Sequence, residues 1–194
     1  MKFICPSWDE IYSQCITLAQ KLLKDKKRTG SSSSYDAIIG VSRGGLAVSR
    51  IMSDLLSVQN VMITRCEYYT DVGETLKRPV ITQEIQGDIA HKSVLLLDDV
   101  ADSGESLIVL KKYVLRKKPA KLSIATLYVK PWAKFIPDYF VAKTSAWIVF
   151  PWELLEAMKS VSAKDGFASL KSIGIPENYF RRLVLLDESL KRRV

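Results

Sequence analysis

The segment Val94-Leu95-Leu96-Leu97-Asp98-Asp99-Val100-Ala101-Asp102-Ser103-Gly104-Glu105-Ser106-Leu107 decides how this chain folds. Val94 to Leu97 is a short unbroken apolar run ended by two acids, which predicts a strand buried on both faces of a sheet. Gly104 then opens a predicted helix running through Tyr113 to Arg116. Open α/β folds bind ligands at the carboxyl edge of the sheet, so this strand delivers two adjacent carboxylates to the place where a ligand sits. The turn Asp102 to Ser106 falls at a helix N-terminus, where free amides, a permissive glycine and two hydroxyls suit a phosphate.

The same strand, turn and helix pattern recurs upstream. Ala37 to Val41 is a short apolar strand, Ser42-Arg43-Gly44-Gly45 a glycine turn, and Leu46 to about Leu56 a helix. Val61 to Tyr69 reads as a further strand, Thr70 to Arg78 as a mobile polar loop without core periodicity, and Val80 to Ile85 as its returning strand. Leu122 to Val129 adds another buried strand. At the N-terminus, Ser7-Trp8-Asp9-Glu10 is a capping box that starts a helix. Ile11, Cys15, Leu18 and Leu22 share one face of it as far as the Lys24 to Arg28 charge cluster, and Gly30 to Ser34 reads as a loop. Strands alternating with helices predict an α/β fold, a twisted, mainly parallel sheet flanked by helices.

At 194 residues and 47% hydrophobic, the chain is long enough for one domain with a sizeable core and a small appendage. Cys5, Cys15 and Cys66 fit no metal or redox spacing and read as three reduced thiols. No apolar run approaches a membrane span, and Met1 to Cys5 is too short for the apolar region of a signal peptide, so a cytoplasmic location is expected. The net charge of +8 points to an anionic partner: nucleic acid, a membrane surface or a highly phosphorylated small substrate. Charge alone does not choose among them.

The acidic segment resembles the phosphoribosyl pyrophosphate (PRPP) signature of the type I phosphoribosyltransferases, and Ile38 to Leu46 resembles the pyrophosphate loop of that family. The resemblance covers roughly residues 7 to 155 and implies the type I phosphoribosyltransferase fold with a small hood. It assigns Asp98 and Asp99 to the ribose hydroxyls and to magnesium, for which carboxylates are suitable hard ligands. Ala101, Asp102, Ser103, Gly104, Glu105 and Ser106 would hold the 5'-phosphate. The Glu105 side chain, an acid in a phosphate loop, is expected to point to solvent. Asp102 matches the residue that manages the proton at N7 of a 6-oxopurine, making it the expected catalytic group. Ser42, Arg43, Gly44 and Gly45 would grip pyrophosphate, with a non-proline cis peptide falling at Ser42–Arg43.

Further along, Lys130 and the run Ala146 to Glu153 resemble the xanthine-guanine and hypoxanthine-guanine branch of the family. There a lysine bonds the exocyclic O6, an aromatic stacks on the purine and the next backbone unit reads its edge, roles that fall on Lys130, Trp147 and Ile148. Glu153 stands where the branch carries an acid near the base or its metal, although here it is one carbon longer than the usual aspartate. An ammonium has donors and no acceptor, so Lys130 would favour a keto oxygen over the amino group of adenine.

The expected activity is transfer of phosphoribose from PRPP to hypoxanthine, guanine or xanthine, with Mg2+ as cofactor in a homo-oligomer, dimer or tetramer. Residues 1–155 would form the core and hood, and 156–194 a helical C-terminal extension on the same domain. Glu153 to Val161, Phe167 to Ile173 and Glu177 to Leu190 read as its helices, padding the hood or meeting another subunit. Trp8, Trp132 and Trp152 read as packing or hood residues, and His91 as an exposed turn residue. The alternative is a regulator that keeps the fold, senses PRPP or nucleotide and binds nucleic acid through the basic cluster Lys111 to Lys121 and the basic tail Lys191-Arg192-Arg193. The chain has no convincing arginine or aromatic nucleic-acid motif to support it.

Overall fold

The computed structural model describes residues 2–28, 35–69, 78–165 and 174–191. The loop expected at 30–34, the helix expected at 167–173 and residues 70–77 of the loop expected at 70–78 lie outside the described residues, and Arg78 belongs to the strand that follows.

Two compact units divide the chain: Tyr12–Thr144, and Met1–Ile11 together with Ser145–Val194. The expected boundary near residue 155 thus falls within the second of these. In chain order the elements are β1 (Phe3–Ile4), α1 (Trp8–Arg28), β2 (Ala37–Ser42), α2 (Gly44–Leu55), β3 (Val61–Tyr69), β4 (Arg78–Gln83) and β5 (Ser93–Ala101). They continue with α3 (Glu105–Arg116), β6 (Lys121–Val129), β7 (Tyr139–Lys143), β8 (Trp147–Ile148), α4 (Leu154–Asp165) and α5 (Glu177–Lys191).

The unit Tyr12–Thr144 is built on a six-stranded sheet of order β4-β3-β2-β5-β6-β7. All its pairs are parallel except β3 with β4, the expected returning strand, which pairs antiparallel at the edge. Buried strands read as unbroken apolar runs because helices cover both faces, and Ile38, Ile39 and Val94 to Leu97 are indeed almost inaccessible. Leu107, Leu110, Tyr113 and Val114 of α3 pack into the same core as Ile39, Val94 and Leu96. Cys15, Leu18 and Leu22, part of the face predicted for α1, are fully buried.

β5 is longer than its apolar run implies. It continues through the two aspartates to Ala101, because the backbone goes on pairing with β6: Asp98 is opposite Thr126, Val100 opposite Tyr128 and Ala101 opposite Val129. Side-chain polarity ended the predicted strand; backbone hydrogen bonding ends the real one. The order in which strands are laid down reverses at β2, with β3 added on one side and β5 on the other. That is the topological switch point, and the crevice outside the carboxyl ends of β2 and β5 is where such sheets bind ligands.

In the other unit, β1 and β8 form a two-stranded parallel sheet, pairing Phe3 with Trp147 and Ile4 with Ile148. The capping box forms as read: Ser7 N–H donates to Glu10 Oε2 at 2.6 Å, and Glu10 N–H donates to Ser7 Oγ at 3.2 Å. Trp152 stacks on Phe150 with ring centroids 4.7 Å apart and lies against Trp8. Val149, Ala157 and Met158 make a small core joined by Leu183 and Val184 of α5. Among the described residues, no helix is long and apolar enough to cross a membrane.

Candidate active site

Two loops leave the sheet at the switch point, and the first packs against the carboxyl end of β5. The glycine turn leaves β2 with a cis peptide at Ser42–Arg43, where the resemblance put it, and runs directly into α2. Gly44 lies so close to Asp99 that a β-carbon there would fall on the Asp99 carboxylate. At Gly45 a β-carbon would come within 2.5 Å of the Leu97 carbonyl oxygen and 3.0 Å of Asp98 Cα. Both positions therefore need glycine for close approach to the acidic strand.

Asp99 is buried. Its backbone N–H donates to Asp98 Oδ1 at 3.0 Å, and the Gly45 N–H also donates to the Asp98 carboxyl. Burial first and the neighbouring Asp99 charge second hold the Asp98 carboxyl well above the ordinary 3.8. Two adjacent carboxylates out of water repel each other, and a dication held between them and a substrate's oxygens would relieve that repulsion. Such a pair fits magnesium, which typically takes one or two carboxylates and leaves its other positions to water and phosphate oxygens. No group of three or more His, Cys, Asp or Glu side chains able to hold a metal occurs among the described residues, so a cage made entirely of protein is not what these residues offer.

The loop after β5 turns on Gly104, whose φ of 78° lies in the left-handed region, and it opens α3. A β-carbon on Gly104 would meet the backbone nitrogen of Phe135 at 2.8 Å. Within the loop, Ser103 Oγ accepts the Glu105 N–H at 3.3 Å and shares a hydrogen bond of 2.9 Å with the Tyr68 hydroxyl. Glu105 does not simply point to solvent. Its carboxylate pairs with Lys134 Nζ and accepts a long 3.5 Å bond from Tyr68. The Lys134 hydrogen bond, followed by its charge, holds Glu105 below the usual carboxylate range and pushes Lys134 up in return.

The register that pairs Ala101 with Val129 sets the next residues, Asp102 and Lys130, at neighbouring strand ends. Lys130 N–H donates to the Ala101 carbonyl at 2.9 Å and Lys134 N–H to the Ser103 carbonyl at 2.8 Å, fastening the segment after β6 to the loop after β5. Lys130 is buried apart from 6% of its surface. That burial lowers its ammonium from the ordinary value, while the Asp102 charge acts in the opposite sense. Trp132, read from the sequence as a packing or hood residue, is 56% exposed, which leaves core packing out, and donates its indole N–H to Asp102 Oδ1 at 3.0 Å.

Asp98, Asp99, Asp102 to Ser106, Ser42 to Gly45 and Lys130 thus all belong to the unit Tyr12–Thr144. Trp147, Ile148 and Glu153 belong to the other. Trp147 is 44% exposed on β8, and Ile148 beside it is buried. Glu153 Oε1 accepts the Phe150 N–H at 3.3 Å and its carbonyl accepts the Ala157 N–H, so it closes the turn that starts α4. Tyr68, Trp132 and Lys134 escaped the sequence reading. Each acts on a residue about thirty positions away in the chain, and no local spacing announces such a contact.

The phosphoribosyl transferase domain family matches residues 7–157. The xanthine-guanine phosphoribosyltransferase of Desulfotalea psychrophila is 31% identical over 149 residues, covering 76% of this chain and 84% of that protein. The xanthine-guanine phosphoribosyltransferase of Cereibacter sphaeroides is 29% identical over 154 residues, covering 76% and 85%. Among solved structures, the purine phosphoribosyltransferase of Pyrococcus horikoshii is 35% identical with a TM-score of 0.67, covering 78% of this chain and 95% of that one. A match of this extent, on a sheet whose switch point carries the glycine turn against the acidic strand, shows that the chain belongs to the phosphoribosyl transferase domain family.

Proposed function

We propose that this protein is a purine phosphoribosyltransferase that transfers the 5-phosphoribosyl group from PRPP to a 6-oxopurine base, with magnesium, as a homo-oligomer in the cytoplasm. One observation carries the reading: the β5–β6 register sets Asp102, a group able to take a proton, beside Lys130, a buried ammonium able to read a keto oxygen. The names of the relatives point to the same substrate class. The free thiols Cys5, Cys15 and Cys66 are in keeping with a reducing compartment.

In this reading Asp98 and Asp99 hold the ribose hydroxyls and magnesium, Ala101 to Ser106 hold the 5'-phosphate, and Ser42 to Gly45 hold pyrophosphate. Magnesium, which the Asp98 and Asp99 carboxylates would hold together with PRPP, would supply positive charge to stabilise pyrophosphate as a leaving group. The bond from ribose C1 to pyrophosphate oxygen breaks with its electrons leaving on pyrophosphate. The purine nitrogen attacks the opposite face of C1, and inversion gives the β-nucleotide. Asp102 takes the proton that the base must lose, while positioning and charge stabilisation supply most of the rate. By the family resemblance, stacking on the base falls to Trp147, reading its edge to the Ile148 backbone, and the accompanying acid to Glu153.

The test is pyrophosphate release from PRPP with hypoxanthine, guanine, xanthine and adenine in turn, for the parent and for Lys130→Ala. Losing a charge-assisted contact to O6 should cost about 1.5 to 3 kcal/mol with each 6-oxopurine, leave PRPP affinity in place and raise adenine relative to hypoxanthine. An unchanged ratio of the two bases would remove Lys130 from base recognition. Absence of base-dependent release, with a salt-sensitive shift of DNA or RNA, would favour the regulator instead.

A further inference from the structure

We propose that Trp132 is a positioning residue for the reaction, its indole N–H orienting the Asp102 carboxylate while its ring covers Lys130. The inference rests on the reading of Asp102 as the group that takes the proton of the base.

The argument begins with cost. A tryptophan 56% exposed leaves much of its apolar surface in water, and its place outside the core calls for another explanation. The polar end of the ring is committed, donating to Asp102 Oδ1 at 3.0 Å. Indole has a donor and no acceptor, so it can bond only an oxygen that is not itself presenting a proton. Tied through Oδ1, the carboxylate keeps Oδ2 as the oxygen available to the base. The face of the same ring lies 5.7 Å from Lys130 Nζ, within range of a cation–π attraction. One side chain therefore touches both groups on which the proposed base chemistry depends.

The backbone keeps that side chain in place. Lys130 N–H is bonded to Ala101, Ala133 N–H closes a turn on the Lys130 carbonyl, and Lys134 N–H is bonded to Ser103. Pro131 restricts the backbone just before Trp132. The turn from 130 to 134 is thus fastened on either side of Asp102, so the indole meets the carboxylate without a large search of conformations. A general base must be held in hydrogen-bonding geometry to its proton, and a loss of orientation costs rate rather than affinity.

Trp132→Phe keeps the ring over Lys130 and removes the donor. Its kcat should fall about three- to tenfold, while KM for PRPP and the unfolding midpoint stay at the parent values. The deciding measurement is a double-mutant cycle with Asp102→Asn, followed by single-turnover nucleotide formation. If Trp132 acts through Asp102, Trp132→Phe changes nothing further in the Asp102→Asn background. Trp132→His, which restores an N–H, should recover part of the loss. A parent-like kcat in Trp132→Phe, or an undiminished fall in the Asp102→Asn background, would overturn the role of Trp132 while leaving that of Asp102 intact. A fully active Asp102→Asn would instead sink the reading of Asp102 and, with it, this inference.

Discussion

Gly44→Ala is the smallest change that tests whether the glycine turn and the acidic strand work as one device. The added β-carbon would coincide with the Asp99 carboxylate, whose Oδ1 is the most distant of its three closest atoms at 2.7 Å. Asp99 cannot retreat with its strand, because β5 is hydrogen-bonded to β2 on one side and β6 on the other. It is only 8% exposed, so no open water waits for a small rotation. Overpacking of this kind costs about 1 to 3 kcal/mol of stability. If the carboxylate is turned away from the ribose and metal it is proposed to hold, a further charge-assisted contact worth about 1.5 to 3 kcal/mol should be lost from PRPP binding, which is roughly ten- to a hundredfold in affinity. Denaturant unfolding of the apoprotein reads the first effect, and the dependence of pyrophosphate release on PRPP reads the second. Asp99→Ala removes the obstacle, so Gly44→Ala should destabilise that background far less than it destabilises the parent. Parent-like stability and PRPP dependence in Gly44→Ala, or strictly additive costs in the double variant, would refute the reasoning.

Two further outcomes follow from the described side chains. Lys134→Ala should weaken PRPP several-fold by leaving the Glu105 charge uncompensated at the loop proposed to hold the 5'-phosphate, most clearly at low salt, and adding Glu105→Gln should restore it. Steady-state kinetics at two ionic strengths measures this, and a double variant no better than Lys134→Ala would contradict it. Cys15, buried in α1, has its thiol pushed up to about 12 from 9.0, so it should resist alkylation at neutral pH until the protein is unfolded. The unfolded chain releases that proton near pH 9 while the folded one keeps it. Stability should therefore fall as pH rises from 9 toward 12, by about 1.4 kcal/mol per unit, and Cys15→Ala should lack this component. Equal alkaline slopes in urea unfolding of the two proteins would show that the thiol is not the source.

Much of this protein is legible in its sequence because the informative signals are local. The apolar runs Ile38 to Ile39 and Val94 to Leu97 declare strands covered on both faces, and the Ser7–Glu10 box declares a helix start, since both depend on residues within a few positions. The order of glycine turn and acidic loop was enough to name the family that residues 7–157 match. Other features needed the sheet. That β5 runs on to Ala101 is a property of its pairing with β6, which polarity along one strand does not encode. That Gly44 must be glycine follows from Asp99 standing against it, fifty-five positions later in the chain. By its sequence Glu105 reads as an acid bound for solvent and Trp132 as a packing or hood residue; in the fold Lys134 pairs with the first, and the indole N–H of the second donates to Asp102. Local pattern specifies which residues can form an element, because propensity and burial act along a few turns of chain. Which side chains meet at the ends of those elements depends on strand order and register, and these exist only once distant segments have paired.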